Sequence, residues 1–193
     1  HFSTDQTVEI VKSFPQVKLL QREFKYHADQ KNWTIPQASH PWIFVLDADE
    51  RPTPELVSEI KKIISSPTNY AGFWIYRVNH FMGKLIKYSG WQSDKVIRLF
   101  KRDECRYKDV FVLEEITSQG HIGYLKARMI HYTYKDLNSY LKKADRYTTW
   151  GAQDRYKKFA KKGKKIGFSY ILLRPAGRFL RHYFLRFGIL DGT

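Results

Sequence analysis

The chain has 193 residues, 42% hydrophobic and 16% aromatic, enough apolar material for one substantial core and too much for a disordered chain. A formal net charge of +15 points to polyanionic partners: nucleic acid, nucleotide phosphates, anionic lipid or a phosphorylated glycan. The single cysteine, Cys105, excludes a disulfide framework and a cysteine-rich zinc site and fits a reducing compartment, and no apolar run approaches the roughly 20 residues of a membrane span.

In chain order, residues 8–14 read as the end of a helix and residues 17–20 as a short strand. Residues 29–33 open a second helix that stops before Pro36, because the residue ahead of a proline is pushed out of the helical region. Residues 42–46 form the clearest strand, and it runs straight into Asp47, Asp49 and Glu50. Leu56, Ile60, Ile63 and Ile64 then carry a helical spacing that ends near Pro67. Residues 70–78 and 96–100 read as further strands, as does the run around His131. Strand and helix alternate, which predicts an α/β fold with a mostly parallel sheet and helices on both faces. From Asp136 the period is helical for about two dozen residues, with Leu137, Tyr140, Leu141, Ala144 and Tyr147 on one face. Residues 155–186 hold eleven Lys and Arg and no Asp or Glu, interleaved with aromatic residues such as Phe179, Tyr183 and Phe184. The expected division is a core over residues 1–135 and a basic helical C-terminal extension over residues 136–193.

The acidic strand end carries the chemistry. A buried strand that delivers Asp47 and Asp49 to its C-terminal edge makes a negative point where open α/β sheets bind ligands. Two carboxylates two residues apart suit a hard divalent cation, which would bridge phosphate oxygens and offset charge growing on a diphosphate leaving group. The plainer alternative is a turn whose acids cap the helix entered near Pro52. No glycine-rich phosphate loop with lysine and no Gly-x-Gly-x-x-Gly fingerprint is present. Glu114 and Glu115 follow an apolar segment and are candidates for a general base, or else solvated acids at the end of an element. His131, in a strand-like run, is either a structural hydrogen-bonding residue or an imidazole donor to the ion at Asp49. The basic aromatic C-terminal region has three readings: an anionic membrane surface, a solvated helix face, or nucleic-acid binding, for which no motif is found.

The chain resembles the family 2 glycosyltransferases of bacterial lipopolysaccharide core synthesis, the β-1,4-glucosyltransferase-like group. The resemblance rests on residues 2–10, Gln30-Lys31-Asn32-Trp33, residues 42–50, residues 90–100 with Arg98-Leu99-Phe100, His131-Tyr132-Thr133-Tyr134, and the Arg- and aromatic-rich tail of residues 183–193 with its Asp-Gly. It implies a GT-A, Rossmann-like fold, here beginning past the first strand and helix of that family. It also implies a nucleotide-sugar donor, such as UDP-glucose, and Mg2+ or Mn2+. By the same resemblance Asp47 and Asp49 take the metal and diphosphate, with Asp49 the direct ligand, and His131 aligns with a histidine ahead of the long helix. Gln30 and Asn32 line the donor pocket with Asp47, Arg98 supports the donor or the acceptor pocket, and Glu114 keeps the acid of a motif that often reads His-Glu. The expected reaction is inverting transfer of a hexose to an inner-core sugar of lipopolysaccharide or a related lipid-linked glycan. The expected place is the cytoplasmic face of the bacterial inner membrane, peripherally bound, with no nucleic-acid partner. The alternative from another class is a non-catalytic basic module that binds nucleic acid or an anionic membrane.

Overall fold

The computed structural model describes residues 2–109, 115–161, 163 and 167–192. Helix α1 (Thr7–Lys12) precedes α2 (His27–Thr34), which tightens into a 3-10 turn at Ile35–Gln37 where Pro36 stops the α-helical ladder. Strands β1 (Trp42–Phe44) and β2 (Glu50–Pro52) flank the acidic corner, and α3 (Pro54–Ile64) follows. The long strand β3 (Tyr70–Phe81) turns back through β4 (Lys84–Leu85), and a 3-10 turn at Trp91–Ser93 leads into β5 (Lys95–Lys101). Strands β6 (Cys105–Tyr107) and β7 (Ile116–Ser118) pair as a separate arm, and β8 (His121–Tyr124) and β9 (Met129–Tyr134) return to the main sheet. Helix α4 (Leu137–Lys161) and helix α5 (Phe168–Leu180) come next, followed by a π-helical turn at Arg181–Leu185 and a 3-10 turn at Gly188–Asp191.

The main sheet runs β1-β5-β3-β9-β2, with β4 and β8 also on β3. It is mixed rather than mostly parallel. β3 pairs in parallel with β8 and β9, whereas β1 with β5, β3 with β5, β3 with β4 and β2 with β9 are antiparallel. The reason is local. A parallel pair needs a crossover, usually through a helix, but the segment between β3 and β5 is a hairpin and a 3-10 turn that bring the chain directly back. Residues 17–20 form no strand either: among the described residues nothing pairs with them, and Val17 is exposed.

The α/β character and the helices on both faces hold. β3 and β5 feed two cores, and irregularities in their pairing, including a register shift between Phe73 and Trp74, break simple alternation between them. Ala71, Ile97 and Phe100 pack with Ala28 of α2, Ile35, Cys105 and Tyr107. Phe73, Ile75 and Leu99 pack against Leu56 and Ile60 of α3 together with Leu125 and Met129. Gly72 lets the two central strands approach: a Cβ there would lie 2.9 Å from Phe100 Cβ and 3.0 Å from the Leu99 carbonyl oxygen. The start of α3 is capped by Thr53, whose hydroxyl accepts the Leu56 N–H at 3.2 Å, with Pro54 in the first turn. Asp47 and Asp49 therefore do not cap this helix, and their carboxylates have other employment.

Candidate active site

The acidic triplet spans the corner between β1 and β2. A tight turn, in which the Glu50 N–H donates to the Asp47 carbonyl at 2.9 Å, brings the three carboxylates around one another. They fall into three different environments. Glu50 is fully buried at 0% exposure, although its charge would ordinarily forbid it. Its Oε2 accepts the Asp47 N–H at 3.0 Å, and its Oε1 accepts from Arg98 Nη2 at 2.8 Å and from Arg77 Nη1 at 3.4 Å. Arg98 is 3% exposed and also donates to Asp47 Oδ2. Its two carboxylate neighbours push its pKa up despite burial, so it is a permanent cation inside the corner. Lys31 adds a second positive charge, with Nζ 3.1 Å from Asp47 Oδ1. Burial alone would raise the Asp47 pKa, but Arg98 and Lys31 outweigh it and hold the carboxyl below its usual range.

Asp49 is set differently. Its backbone carbonyl accepts the Tyr132 N–H at 2.9 Å, and the β2–β9 register places Glu50 opposite His131. His131 Nε2 then lies 3.7 Å from Asp49 Oδ2, an electrostatic neighbour beyond hydrogen-bond length. The imidazole is the largest influence lowering the Asp49 pKa. The other ring nitrogen is tied down: His131 Nδ1 sits 2.7 Å from Asn79 Oδ1. Asn79 Nδ2 faces two acceptors, Asp94 Oδ2 at 2.9 Å and the Trp91 carbonyl at 3.2 Å, so its oxygen must accept from His131. His131 thus gives its Nδ1 proton to Asn79, and Nε2 is the ring nitrogen that faces the Asp49 carboxylate. Asp94 closes the circuit through a two-pronged contact with Arg77, Nε and Nη2 both at 2.9 Å, and Arg77 returns to Glu50.

Of the other residues expected from sequence, Asn32 spends its amide on the Tyr107 backbone, donating to the carbonyl at 2.8 Å and accepting the N–H at 2.9 Å, which ties α2 to β6. Among the described residues Gln30 Oε1 is buried with no hydrogen-bond partner. Glu115 is exposed and paired with Lys108 at 2.6 Å, which lowers its pKa. Glu114 lies outside the described residues. The arm that leads to both acids is near the corner, because Lys31 contacts Asp47 and also lies over the Tyr107 ring at 5.3 Å. Arg77, Asn79, Asp94 and Lys31 received no role from the sequence. Arg77 and Asn79 had a readable signal: two polar residues, two apart and so on one face, near the end of an otherwise apolar strand.

A hard cation of the Mg2+ or Mn2+ kind fits this donor set as a guest that arrives with a diphosphate. Such ions use one or two carboxylates and take their remaining oxygens from phosphate and water. Asp49 offers the more open carboxylate, with His131 Nε2 3.7 Å from it, whereas Asp47 already has two cations against it. A preformed protein cage is not there: among the described residues no three His, Cys, Asp or Glu side chains gather as a metal site.

Comparison with known proteins decides the family. The profile of glycosyl transferase family 2 matches residues 2–114, more than half of the chain and all of the acidic corner. The chain belongs to glycosyl transferase family 2. It is 25% identical over 188 residues to the lipopolysaccharide core biosynthesis glycosyltransferase LpsC of Rhizobium meliloti, a match covering 94% of this chain and 68% of that protein. It is 26% identical to an uncharacterized glycosyltransferase of Rickettsia typhi and 24% identical to one of Rickettsia prowazekii, each match covering 95% of this chain and 65% of the relative. The chain thus spans about two thirds of the length of these relatives. The GT-A, α/β class expected from the sequence stands, and so does the homology to lipopolysaccharide core enzymes. The role supported at this level is glycosyl transfer.

Proposed function

We propose that this member of the family transfers a hexose, glucose from UDP-glucose, to an inner-core sugar of lipopolysaccharide or a related lipid-linked glycan, with inversion at the sugar carbon. The observation that carries this reading is the division of labour at the corner. Asp47 is held by Arg98 and Lys31, while Asp49 has only the His131 imidazole beside it, at 3.7 Å. Mg2+ or Mn2+, held by Asp49 with His131 and the second acid Asp47 alongside, would neutralise charge on the departing nucleoside diphosphate. The protein's own groups set up that event. Arg98 and Glu50 fix the turn, Asn79 ties down His131 Nδ1, and Gln30 and Arg98 are assigned to the donor pocket. Asn32 serves this pocket by holding the β6 backbone against α2.

Inversion by direct displacement needs one general base to take the acceptor hydroxyl proton, and the pair Glu114 and Glu115 is assigned that task. The ion pair with Lys108 keeps Glu115 ionised and weakens it as a proton acceptor, which favours Glu114. Residues 136–193 are assigned to the inner face of the bacterial inner membrane, bound peripherally to anionic lipid. Among the described residues no helix is long and apolar enough to cross a membrane, but α5 and the turn after it expose Phe168, Leu172, Phe179, Leu180 and Phe184.

The test is UDP release from UDP-glucose in the presence of deacylated core oligosaccharide, with Mg2+ or Mn2+ titrated. Asp49→Asn is expected to lower turnover about 100-fold or more at fixed metal, with the fold intact by circular dichroism. Turnover within twofold of the parent would sink the metal assignment. Glu114→Gln and Glu115→Gln, made singly, should give one loss of about 10²-fold or more with donor binding unchanged. Two unimpaired variants would remove the pair from the mechanism.

A further inference from the structure

The C-terminal segment is docked on the protein by a specific set of contacts. The Asp191 carboxylate accepts the backbone N–H groups of Lys87 and Tyr88 at 2.8 and 3.0 Å, and the Ser89 hydroxyl at 3.3 Å. His182 Nδ1 meets the Ser89 carbonyl at 2.8 Å, and the Ser89 N–H donates to the Arg186 carbonyl at 2.9 Å. Arg186 lies so closely on Gly90 that a Cβ there would come within 2.1 Å of its Nη1, and Gly90 has φ +82°. The bare glycine makes room for the guanidinium.

Above this junction is a cavity of about 510 Å³ lined by Arg174, Gly177, Arg178, Arg181, His182 and Arg186. The spacing of the basic residues sets them on one side of α5 and the turn that continues it. Among the described residues no carboxylate pairs with any of these four arginines; Arg174 donates only to the Tyr170 hydroxyl and lies over its ring. Four arginines that line one cavity with no carboxylate partner among the described residues repel one another, and an oxyanion of high charge, which planar guanidinium forks grip in pairs, relieves that repulsion. The volume lies within the roughly 300–1,000 Å³ of small-molecule sites and leaves room beyond a phosphate group for a sugar ring.

We propose that this pocket binds a phosphomonoester carried on a sugar, the phosphorylated part of the acceptor glycan. The assignment rests on the reading of the acceptor as a core glycan and adds its anchoring subsite. The junction connects to the acidic corner through the protein: Gly90 precedes Trp91, whose carbonyl holds Asn79, and Asn79 holds His131 beside Asp49. A phosphosugar in the pocket therefore bears on the wall that orients the imidazole.

The test is isothermal titration of the full chain at low salt with hexose 6-phosphate, unphosphorylated hexose and inorganic phosphate, together with sedimentation on phosphatidylglycerol vesicles. Arg178→Lys/Arg181→Lys keeps the charge and removes two forks at exposed positions. Hexose 6-phosphate should bind, unphosphorylated hexose should not, and the double variant should weaken the phosphosugar at least tenfold while vesicle binding stays within twofold. No phosphosugar binding, or equal binding by parent and variant, overturns the proposal. Equal losses on vesicles and phosphosugar reassign the pocket to lipid headgroups and overturn the sugar assignment, as does inorganic phosphate binding as tightly as the phosphosugar. Binding is read without donor or turnover, so failure of the Asp49→Asn test would leave this result standing, and the converse holds.

Discussion

Replacing Glu50 with Gln tests whether the buried charge holds the acidic corner together. The side chain is 0% exposed, and Arg98, at 3%, faces it on one side and Asp47 on another. Breaking a buried ion pair outright costs about 3–5 kcal/mol because the survivor keeps its charge without compensation. Asp47 stays beside Arg98 in the variant, which places that contribution at the low end. A second cost is geometric. Glu50 uses one oxygen for Arg98 at 2.8 Å and the other for the Asp47 N–H at 3.0 Å, but an amide has only one oxygen. One of the two donors must then face an NH2 group, and an unsatisfied buried donor costs about 1–3 kcal/mol. The two penalties share atoms and do not add, so the expected destabilisation is about 3 kcal/mol. For a chain of this size that is a fall in Tm of roughly 6–12 °C. Urea unfolding followed by circular dichroism gives the free energy, and a cycle with Arg98→Met isolates the pair. A Glu50→Gln variant within about 0.5 kcal/mol of the parent behaves like an ordinary surface substitution and would refute the argument.

Two further outcomes follow from the same contacts. Asp47, Asp49 and Asp94 all have carboxyl groups held below the usual aspartate range, so each contributes stability that is complete above the unfolded pKa and is lost as pH falls through the folded one. Thermal melts should therefore be flat above about pH 5 and decline progressively below about pH 4, with a smaller decline in Asp94→Asn; a parent Tm unchanged down to pH 3 would contradict the depressed values. Asp191→Ala removes the acceptor of the Lys87 and Tyr88 N–H groups and should release the C-terminal segment. Trypsin cleavage at Arg178, Arg181 and Arg186 should then run roughly tenfold faster, the effect of losing about 1.4 kcal/mol of docking, while the core melts as before. Unchanged cleavage would show that the segment is held by other contacts.

The parts of the fold that were legible in the sequence are those set by periodicity within a segment. Leu56 and Ile60 do face the core from α3, residues 42–46 do contain the strand β1, and the predicted helix from Asp136 is α4 at Leu137–Lys161. Strand direction was not legible, because period-two alternation looks the same whichever way a neighbour runs. It was decided by the hairpin after β3, at Met82 and Gly83, both with positive φ. Residues 17–20 failed for a related reason: β-branched and apolar residues favour a strand only where a partner exists. At the site, Asp47 and Asp49 were legible because three acids after an apolar run are unusual in a chain this basic. Their partners were not. Arg98 is in register beside Val45, whose N–H donates to the Arg98 carbonyl at 2.8 Å, and His131 is opposite Glu50; both facts belong to pairing across dozens of residues.

That pairing also explains how two aspartates two residues apart come to have different chemistry. Asp47 ends the β1 side of the corner and looks toward β5 and α2, from which Arg98 and Lys31 reach it. Asp49 begins the β2 side and looks toward β9, which brings His131 and the Tyr132 N–H. Both carboxyls have lowered pKa values and both are ionised near neutrality, so charge alone does not distinguish them. Saturation does. Asp47 already has two cations within ion-pairing distance, and an arriving cation would have to compete with a guanidinium that Glu50 holds in place. Asp49 has one imidazole, whose Nδ1 is tied to Asn79 and whose Nε2 stands 3.7 Å away, with Lys143 acting only from further off. Arg98→Met should impair the corner by freeing Asp47 to compete for an incoming cation, and metal titrations of Arg98→Met against Asp49→Asn should show a changed stoichiometry in the first and a lost site in the second. Two variants with the same metal profile would mean that the acids act as one undivided cluster.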